Sequence, residues 1–357
     1  MKIIVTAGGT GGHIYPALSM INKFKEKEKD LEILYIGTHN RMEKDIVPAL
    51  GIRYEALEIY GFTKNIKRDI KNISLLFKAN KKCMRLLKEF KPDVVLGFGG
   101  YVTFPVIKDA SKLGIPTFIH EQNSIPGKSN KVLAKYVDII GVTFESSKKY
   151  FNTNNVIYSG HPRADEAVLA KVVDKKIFGL SKDKKLVVIV LGSLGSSSLH
   201  RKLMSYIQNV KDEDYEVLYI MGKNNTKEIE EEIPLNVKIL PYYDNLIGLF
   251  KNTDVVISRA GSGVLNELIA LQIPSIIIPS PNVANNHQYY NAKDLSDADA
   301  CIMMSEETLN DEELRKNVNK LLEDQNYRKK MIENLNKFKV QNSMDLIYNA
   351  IKEKIKK

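Results

Sequence analysis

At 357 residues the chain is longer than one ordinary domain, and two domains of about 150–200 residues are expected. A composition 43% hydrophobic and 27% charged fits a globular protein, and only two cysteines, Cys83 and Cys301, exclude a disulfide framework or a cysteine zinc site and point to a reducing compartment. The net charge of +10 favours an anionic partner (nucleic acid, an acidic membrane or a phosphorylated substrate), although a lysine-rich codon bias accounts for it as well.

The opening Met1-Lys2-Ile3-Ile4-Val5 runs straight into a strand pattern, without the apolar stretch and cleavage site of a signal peptide. No apolar run approaches the ~20 residues that span a bilayer, so a cytosolic protein, or one lying on a membrane without crossing it, is expected. Strand-like runs at 3–6, 32–36, 94–97, 117–120 and 139–142 alternate with helical segments, and a second series follows at 186–191, 217–221, 237–240, 255–258 and 275–279. Each series opens with a buried strand, a glycine turn and a helix. This alternation predicts α/β architecture: two Rossmann-like, doubly wound domains facing a cleft, with the joint near 160–183.

Three glycine turns stand at strand ends. Gly8-Gly9-Thr10-Gly11-Gly12-His13 leads into a helix near Tyr15-Pro16, where close backbone approach and free N–H groups suit an anion. The dinucleotide fingerprint is broken, because Gly9 and Gly11 are followed by Ile14, and Ile36-Gly37-Thr38 ends the second strand without a ribose-binding carboxylate. Gly127-Lys128-Ser129 suggests a P-loop, but Gln122 stands where its first glycine belongs. The other turns are Gly97-Phe98-Gly99-Gly100-Tyr101 and Gly192-Ser193-Leu194-Gly195-Ser196. One such turn reads as structural; three together point to phosphate binding.

The most informative stretch is Ser258-Arg259-Ala260-Gly261-Ser262-Gly263-Val264-Leu265-Asn266-Glu267. A helix starting near Ser262 offers its N-terminus to a diphosphate, and the Glu267 carboxylate can accept from both ribose hydroxyls. The plain alternative makes Ser262 an N-cap and Glu267 a solvated helix residue.

With these motifs in order, and with His120-Glu121-Gln122-Asn123, Gly160-His161-Pro162-Arg163 and His287-Gln288…Asn291-Ala292, the chain resembles the MurG family. Those enzymes transfer N-acetylglucosamine from UDP-GlcNAc to undecaprenyl-diphosphate-MurNAc-pentapeptide (lipid I), forming lipid II for peptidoglycan. The resemblance implies a GT-B fold of twin Rossmann domains and inverting, metal-independent transfer with no cofactor. It divides the chain into an acceptor and membrane-facing domain over 1–162, rejoined by a C-terminal helix over 341–357, and a UDP-GlcNAc-binding domain over 163–340. It puts Thr10, Gly11, Gly12, Asn123, Arg163, Ser193, Tyr243, Ser262, Gly263, Val264, Leu265, Asn266, Glu267 and Gln288 at the donor, and Gly8, Gly9, Gly99, Gly100 and Tyr101 at the acceptor diphosphate. It further implies a peripheral place on the cytoplasmic face of the cell membrane and other cell-wall synthesis proteins as partners. Two departures stand out: the family pattern Asn-Pro-Val-Arg is here His161-Pro162-Arg163, and Leu191 and Leu194 replace a Gly and the Gln of Gly-Gly-Ser-Gln-Gly.

Inverting transfer needs a base near the acceptor hydroxyl, and an imidazole titrates near neutral pH, so His13 is the expected catalytic residue, as base or as holder of the acceptor diphosphate. The alternative is a helix-start histidine bonded only to backbone. His120 and Glu121 are read either as a second acid–base pair or as groups that shape the cleft. Asp297-Ala298-Asp299 matches a metal-binding D-x-D but reads as a solvated turn, so no metal is expected.

Between Lys64 and Lys91 stand ten basic residues and two acids. One apolar stripe holds Ile66, Ile70, Ile73 and Phe77, another Leu76, Cys83, Leu86 and Phe90. A core needs only one, leaving Ile70, Ile73 and Phe77 to meet an anionic bilayer, unless both stripes are buried. Competing readings are a UDP-GlcNAc 2-epimerase, a sister transferase acting on diacylglycerol, and a catalytically silent nucleotide-sugar-binding partner. Nucleic acid finds charge but no aromatic-interleaved basic surface.

Overall fold

The structure is a computed structural model describing residues 1–61, 66–192, 195–225 and 232–356, with side chains described except at 66–71 and 224. Contacts divide the chain into two compact units, Met1–Asp165 with Val340–Lys357, and Glu166–Lys339.

In the first unit run β1 (Lys2–Thr6), α1 (Gly11–Lys27), β2 (Glu32–Thr38), α2 (Glu43–Ala49), β3 (Arg53–Leu57), α3 (Ile66–Phe90), β4 (Val94–Gly97), α4 (Thr103–Lys112), β5 (Thr117–Glu121), α5 (Lys128–Leu133), β6 (Ile139–Val142) and β7 (Val156–Tyr158). The strands form one parallel sheet in the order β3-β2-β1-β4-β5-β6-β7. Alternate residues of β1 feed different layers: Ile4 packs with α3 and α4, while Ile3 and Val5 pack with α1 and the C-terminal helix. A strand covered on both faces needs apolar side chains at every position, which is why these strands read as continuous hydrophobic runs.

α6 (Pro162–Leu169) follows. The first unit runs to Asp165, past the expected end at 162, and the Asp165 carboxylate accepts from the backbone N–H of Ser343 and Met344. The second unit carries β8 (Lys185–Val190), α7 (Ser197–Asn209), β9 (Tyr215–Ile220), β10 (Val237–Leu240), α8 (Leu246–Phe250), β11 (Val255–Ser258), α9 (Ser262–Leu271), β12 (Ser275–Ile277), α10 (His287–Ser296), β13 (Ile302–Met303), α11 (Asp311–Glu323) and α12 (Gln325–Asn336). Its parallel sheet runs β10-β9-β8-β11-β12-β13. In both sheets the order reverses beside the first strand, and the loops leaving the carboxyl ends there are the usual ligand position of doubly wound folds.

α13 (Ser343–Ile355) packs on α1 in the first unit, where Asp345 pairs with Lys23 at 2.9 Å, Lys352 with Glu28 at 2.6 Å, and Tyr348 meets Phe24 edge-on. α3 buries Leu75, Ala79, Cys83, Leu86, Leu87 and Phe90, while Ile73 and Phe77 stay 49% and 71% exposed. The stripe of Leu76, Cys83, Leu86 and Phe90 therefore faces the core, and burial of both stripes is excluded at Ile73 and Phe77; the Ile70 side chain lies outside the described residues. Among the described residues no helix is long and apolar enough to cross a membrane.

Candidate functional site

At the end of β1 the chain spends its first two glycine amides on itself. Gly8 N–H donates to the Gly99 carbonyl at 3.2 Å, and Gly9 N–H, at φ +100°, donates to Glu43 Oε2 at 3.2 Å. Glu43 is fully buried, and its other oxygen accepts from Thr38 N–H at 3.0 Å and Thr38 Oγ at 2.6 Å. Gly8 and Gly9 were expected at the acceptor diphosphate. Their N–H groups are committed elsewhere, so they shape the loop rather than offer donors to an anion.

Thr10 caps α1 with no side-chain bond, and the amides of Thr10, Gly11 and Gly12 make no hydrogen bond among the described residues. These are the free donors of the loop. The Gly97–Tyr101 loop closes tightly on it: a Cβ on Gly100 would lie 2.4 Å from the Gly8 carbonyl oxygen, and one on Gly99 2.7 Å from the His13 ring. The amides of Gly99, Gly100 and Tyr101 are likewise unbonded ahead of α4. His13 Nδ1 lies 3.0 Å from the Gly8 carbonyl. A carbonyl only accepts, so Nδ1 carries the proton and Nε2 holds the lone pair, the tautomer a base requires. Bonding to backbone and service as a base are thus compatible.

After β5, both Glu121 oxygens are occupied. Oε1 accepts from Asn123 N–H at 2.9 Å and Asn123 Nδ2 at 3.3 Å; Oε2 accepts from Gly127 N–H at 3.0 Å and Asn130 Nδ2 at 2.8 Å. Glu121 is a loop organiser that orients Asn123. Buried His120 donates Nε2–H to the Gly160 carbonyl at 2.9 Å, and burial, partly offset by that bond, pushes its pKa down to about 4. Of the two readings, groups that shape the cleft loops fit this pair: the His120 ring is fully buried, and the Glu121 carboxylate already accepts four hydrogen bonds. Arg163 sits in the first turn of α6 with its guanidinium 5.2 Å from the centre of the Tyr15 ring on α1.

In the second unit β11 delivers the chain to α9, whose N-cap is Gly261 with no side-chain cap; Ser262 is the first helical residue, not the cap. The first-turn amides of Ser262, Gly263 and Val264 have no intrahelical partner. Leu265 belongs to the scaffold: its side chain is fully buried and its N–H donates to the Gly261 carbonyl at 3.0 Å. Asn266 Nδ2 turns back to the Ser262 carbonyl at 2.9 Å. Glu267 is buried rather than solvated.

In the same unit, Gln288 Oε1 accepts from Ser280 N–H at 2.9 Å, and Tyr243 packs edge-on against Phe178. Ser193 and Leu194 lie outside the described residues. Gly195, at φ +81°, admits no Cβ, which would meet the Met221 carbonyl oxygen at 2.4 Å. Asp297 pairs with Lys293 and Asp299 with Lys330, all at the surface.

Two further groups lack a clear sequence signal. Glu43 is one. The other is the buried pair of Arg259 with Glu306 at 2.6 Å, in which Arg259 also donates to Ser196 Oγ at 2.6 Å and Glu306 accepts from Ser198 Oγ at 2.5 Å. Burial opposes ionisation of Glu306, but the Ser198 hydroxyl and the Arg259 guanidinium hold its carboxyl below the usual range. The pair ties the ends of β11 and β13 to the start of α7. Arg259 lies inside the Ser258–Glu267 motif, yet nothing in the sequence links it to Glu306.

Residues 3–142 match the glycosyltransferase family 28 N-terminal domain, and residues 186–347 match the glycosyltransferase family 28 C-terminal domain. The chain belongs to glycosyltransferase family 28. It is thus an enzyme of the glycosyl-transferring class, built on the twin-Rossmann GT-B plan. A Bacillus licheniformis relative, the UDP-N-acetylglucosamine–N-acetylmuramyl-(pentapeptide) pyrophosphoryl-undecaprenol N-acetylglucosamine transferase, is 40% identical over 360 residues, 99% of this chain and 98% of its own. The crystal structure of Acinetobacter baumannii MurG superposes with a TM-score of 0.77 at 23% identity over 99% of each chain. That of a putative UDP-N-acetylglucosamine 2-epimerase from Listeria monocytogenes gives 0.72 at 14%, covering 99% of this chain and 96% of its own. Transferases and epimerases share this fold, so the fold alone does not choose the reaction.

Proposed function

We propose that this chain transfers N-acetylglucosamine from UDP-N-acetylglucosamine to the muramyl sugar of an undecaprenyl-diphosphate-linked muropeptide, with inversion and without a metal. The observation that carries this reading is the likeness to the Bacillus licheniformis transferase, 40% identical along the whole chain. In the second unit, the free amides of Ser262, Gly263 and Val264 receive the donor diphosphate, and Glu267 holds the ribose. In the first, the amides of Thr10, Gly11, Gly12, Gly99, Gly100 and Tyr101, with the Arg163 cation, receive diphosphate charge.

His13 Nε2 takes the proton from the attacking muramyl hydroxyl as the bond from that oxygen to the sugar C1 forms and the bond to UDP breaks. Helix-start amides offset the charge left on UDP, work that a divalent cation does elsewhere. Incubation with UDP-N-acetylglucosamine, lipid acceptor and a chelator should release UDP only when both substrates are present, with a β-linked product. UDP release without acceptor, or a strict metal requirement, refutes the reading.

The exposed Ile73 and Phe77, with exposed Lys78, Lys81 and Arg85 on the same helix, form the proposed contact with an anionic bilayer on the cytoplasmic face. Changing both apolar residues to Ser should lower flotation with anionic vesicles about tenfold or more while leaving UDP affinity unchanged. Undiminished flotation would place the anchor elsewhere.

A further inference from the structure

The motif before α6 carries His161, and the structure gives this ring a defined task. Gly160 turns the chain at φ +68°, where a Cβ would lie 2.5 Å from Ser343 Oγ, and its carbonyl is held by His120 Nε2–H. His161 follows, buried, with Nδ1 accepting the N–H of Arg163 at 3.2 Å. Pro162 between them has no N–H, so the Arg163 amide is the first donor of the helix that needs a partner. An asparagine side chain accepts from the amide two residues on in the same way. The ring is therefore a helix cap, doing what a carboxamide oxygen does at such a position.

We propose that His161 is a positioning residue for the transfer: by capping α6 at Arg163 it fixes where the Arg163 guanidinium lies, over the Tyr15 ring in the first turns of α1. The proposal rests on the reading of the reaction given above. Its chemistry demands an acceptor at Nδ1, so Nε2 must carry the proton; a second proton on the ring would turn the cap into a donor facing a donor. Burial, with His120 and Arg163 close by, disfavours that second proton. On the other side of the turn, the bonds of Asp165 to Ser343 and Met344 pin the same helix start to α13.

A double-mutant cycle tests this, with turnover measured on UDP-N-acetylglucosamine and the lipid acceptor. H161L fills the space of the ring without an acceptor atom and should lower kcat/KM about ten- to a hundredfold. H161N, which can still accept, should recover most of that loss. In an R163A background H161L should cost nothing more. An equal loss in both backgrounds, or an H161N no better than H161L, overturns the proposal while the reaction stands. A wild type that transfers no sugar overturns both. Should H161L fail to fold, nitrogen NMR of the labelled histidines in the wild type decides: the Nε2–H tautomer is expected at His161 at about pH 7, and an Nδ1–H or charged ring refutes the cap.

Discussion

The helix starts of α1 and α9 look alike in sequence, each a strand running through small residues into a helix, yet they are built in opposite ways. The α1 loop spends two amides on its own scaffold, Gly8 on the Gly99 carbonyl and Gly9 on Glu43, and leaves free only those from Thr10 onward. The α9 start has the single small cap Gly261, its first turn free, and buried side chains, Asn266 and Glu267, packed behind it. Glycine therefore does two jobs. In the first unit it lets two loops interlock, since Gly99 and Gly100 press against His13 and Gly8; in the second it keeps a helix end uncovered. A glycine-rich loop is a cradle for anions only where tertiary contacts leave its amides unclaimed.

The sharpest way to break this comparison is His13→Ala. It should lower kcat about 10²–10⁴-fold, as loss of a general base does. Calorimetry should show UDP affinity, which the proposed function assigns to α9, unchanged; a matching loss of UDP binding would mean that the two starts do not divide the work. Next in size, Glu43→Ala strands the buried Thr38 N–H and Oγ–H and the half-buried Gly9 N–H, and should cost about 4 kcal/mol in denaturant unfolding. A cost below about 1 kcal/mol would show that the α1 loop does not depend on its buried carboxylate.

Acid should act on the first unit through His120. Its ring is held neutral in the fold, with a pKa of about 4 against about 6.5 when unfolded. A depressed basic group gives stability that is complete above about pH 6.5 and declines as pH falls towards about 4, here by about 3 kcal/mol. Unfolding across that window should be less pH-dependent in H120N than in the wild type, and identical slopes would contradict the assignment. Smallest is Glu267→Ala, which should weaken UDP binding about ten- to a hundredfold, the worth of charge-assisted hydrogen bonds. Unchanged affinity would remove Glu267 from the nucleotide and leave α9 with amides alone.

Strands buried on both faces were legible because every position in them is apolar, and the ten expected runs lie in the two sheets. β3, β7 and β13 are not among those runs. All three are edge strands, short or partly exposed, and an edge tolerates residues such as Arg53 and Glu55 that erase the apolar run. α3 shows the same limit: two apolar stripes are visible in the sequence, and only packing shows that Cys83 and Leu86 face the core while Phe77 does not.

The sequence by itself determined the paired α/β plan, the helix starts after β1 and β11, and the chemistry on offer at His13 and Glu267, because these depend on local periodicity and on residue type. Only the tertiary structure decided which amides remain free, that Glu121 is saturated by its own loop, that Glu43 and the Arg259–Glu306 pair support the loops, and that His161 caps Arg163. The Glu43 and Arg259–Glu306 contacts turn on partners that folding brings close, while those of Glu121 and His161 are near in sequence and turn on the exact path of a loop. A hydrogen bond is settled by distances of a few tenths of an ångström between such groups, and no local pattern of residues encodes that.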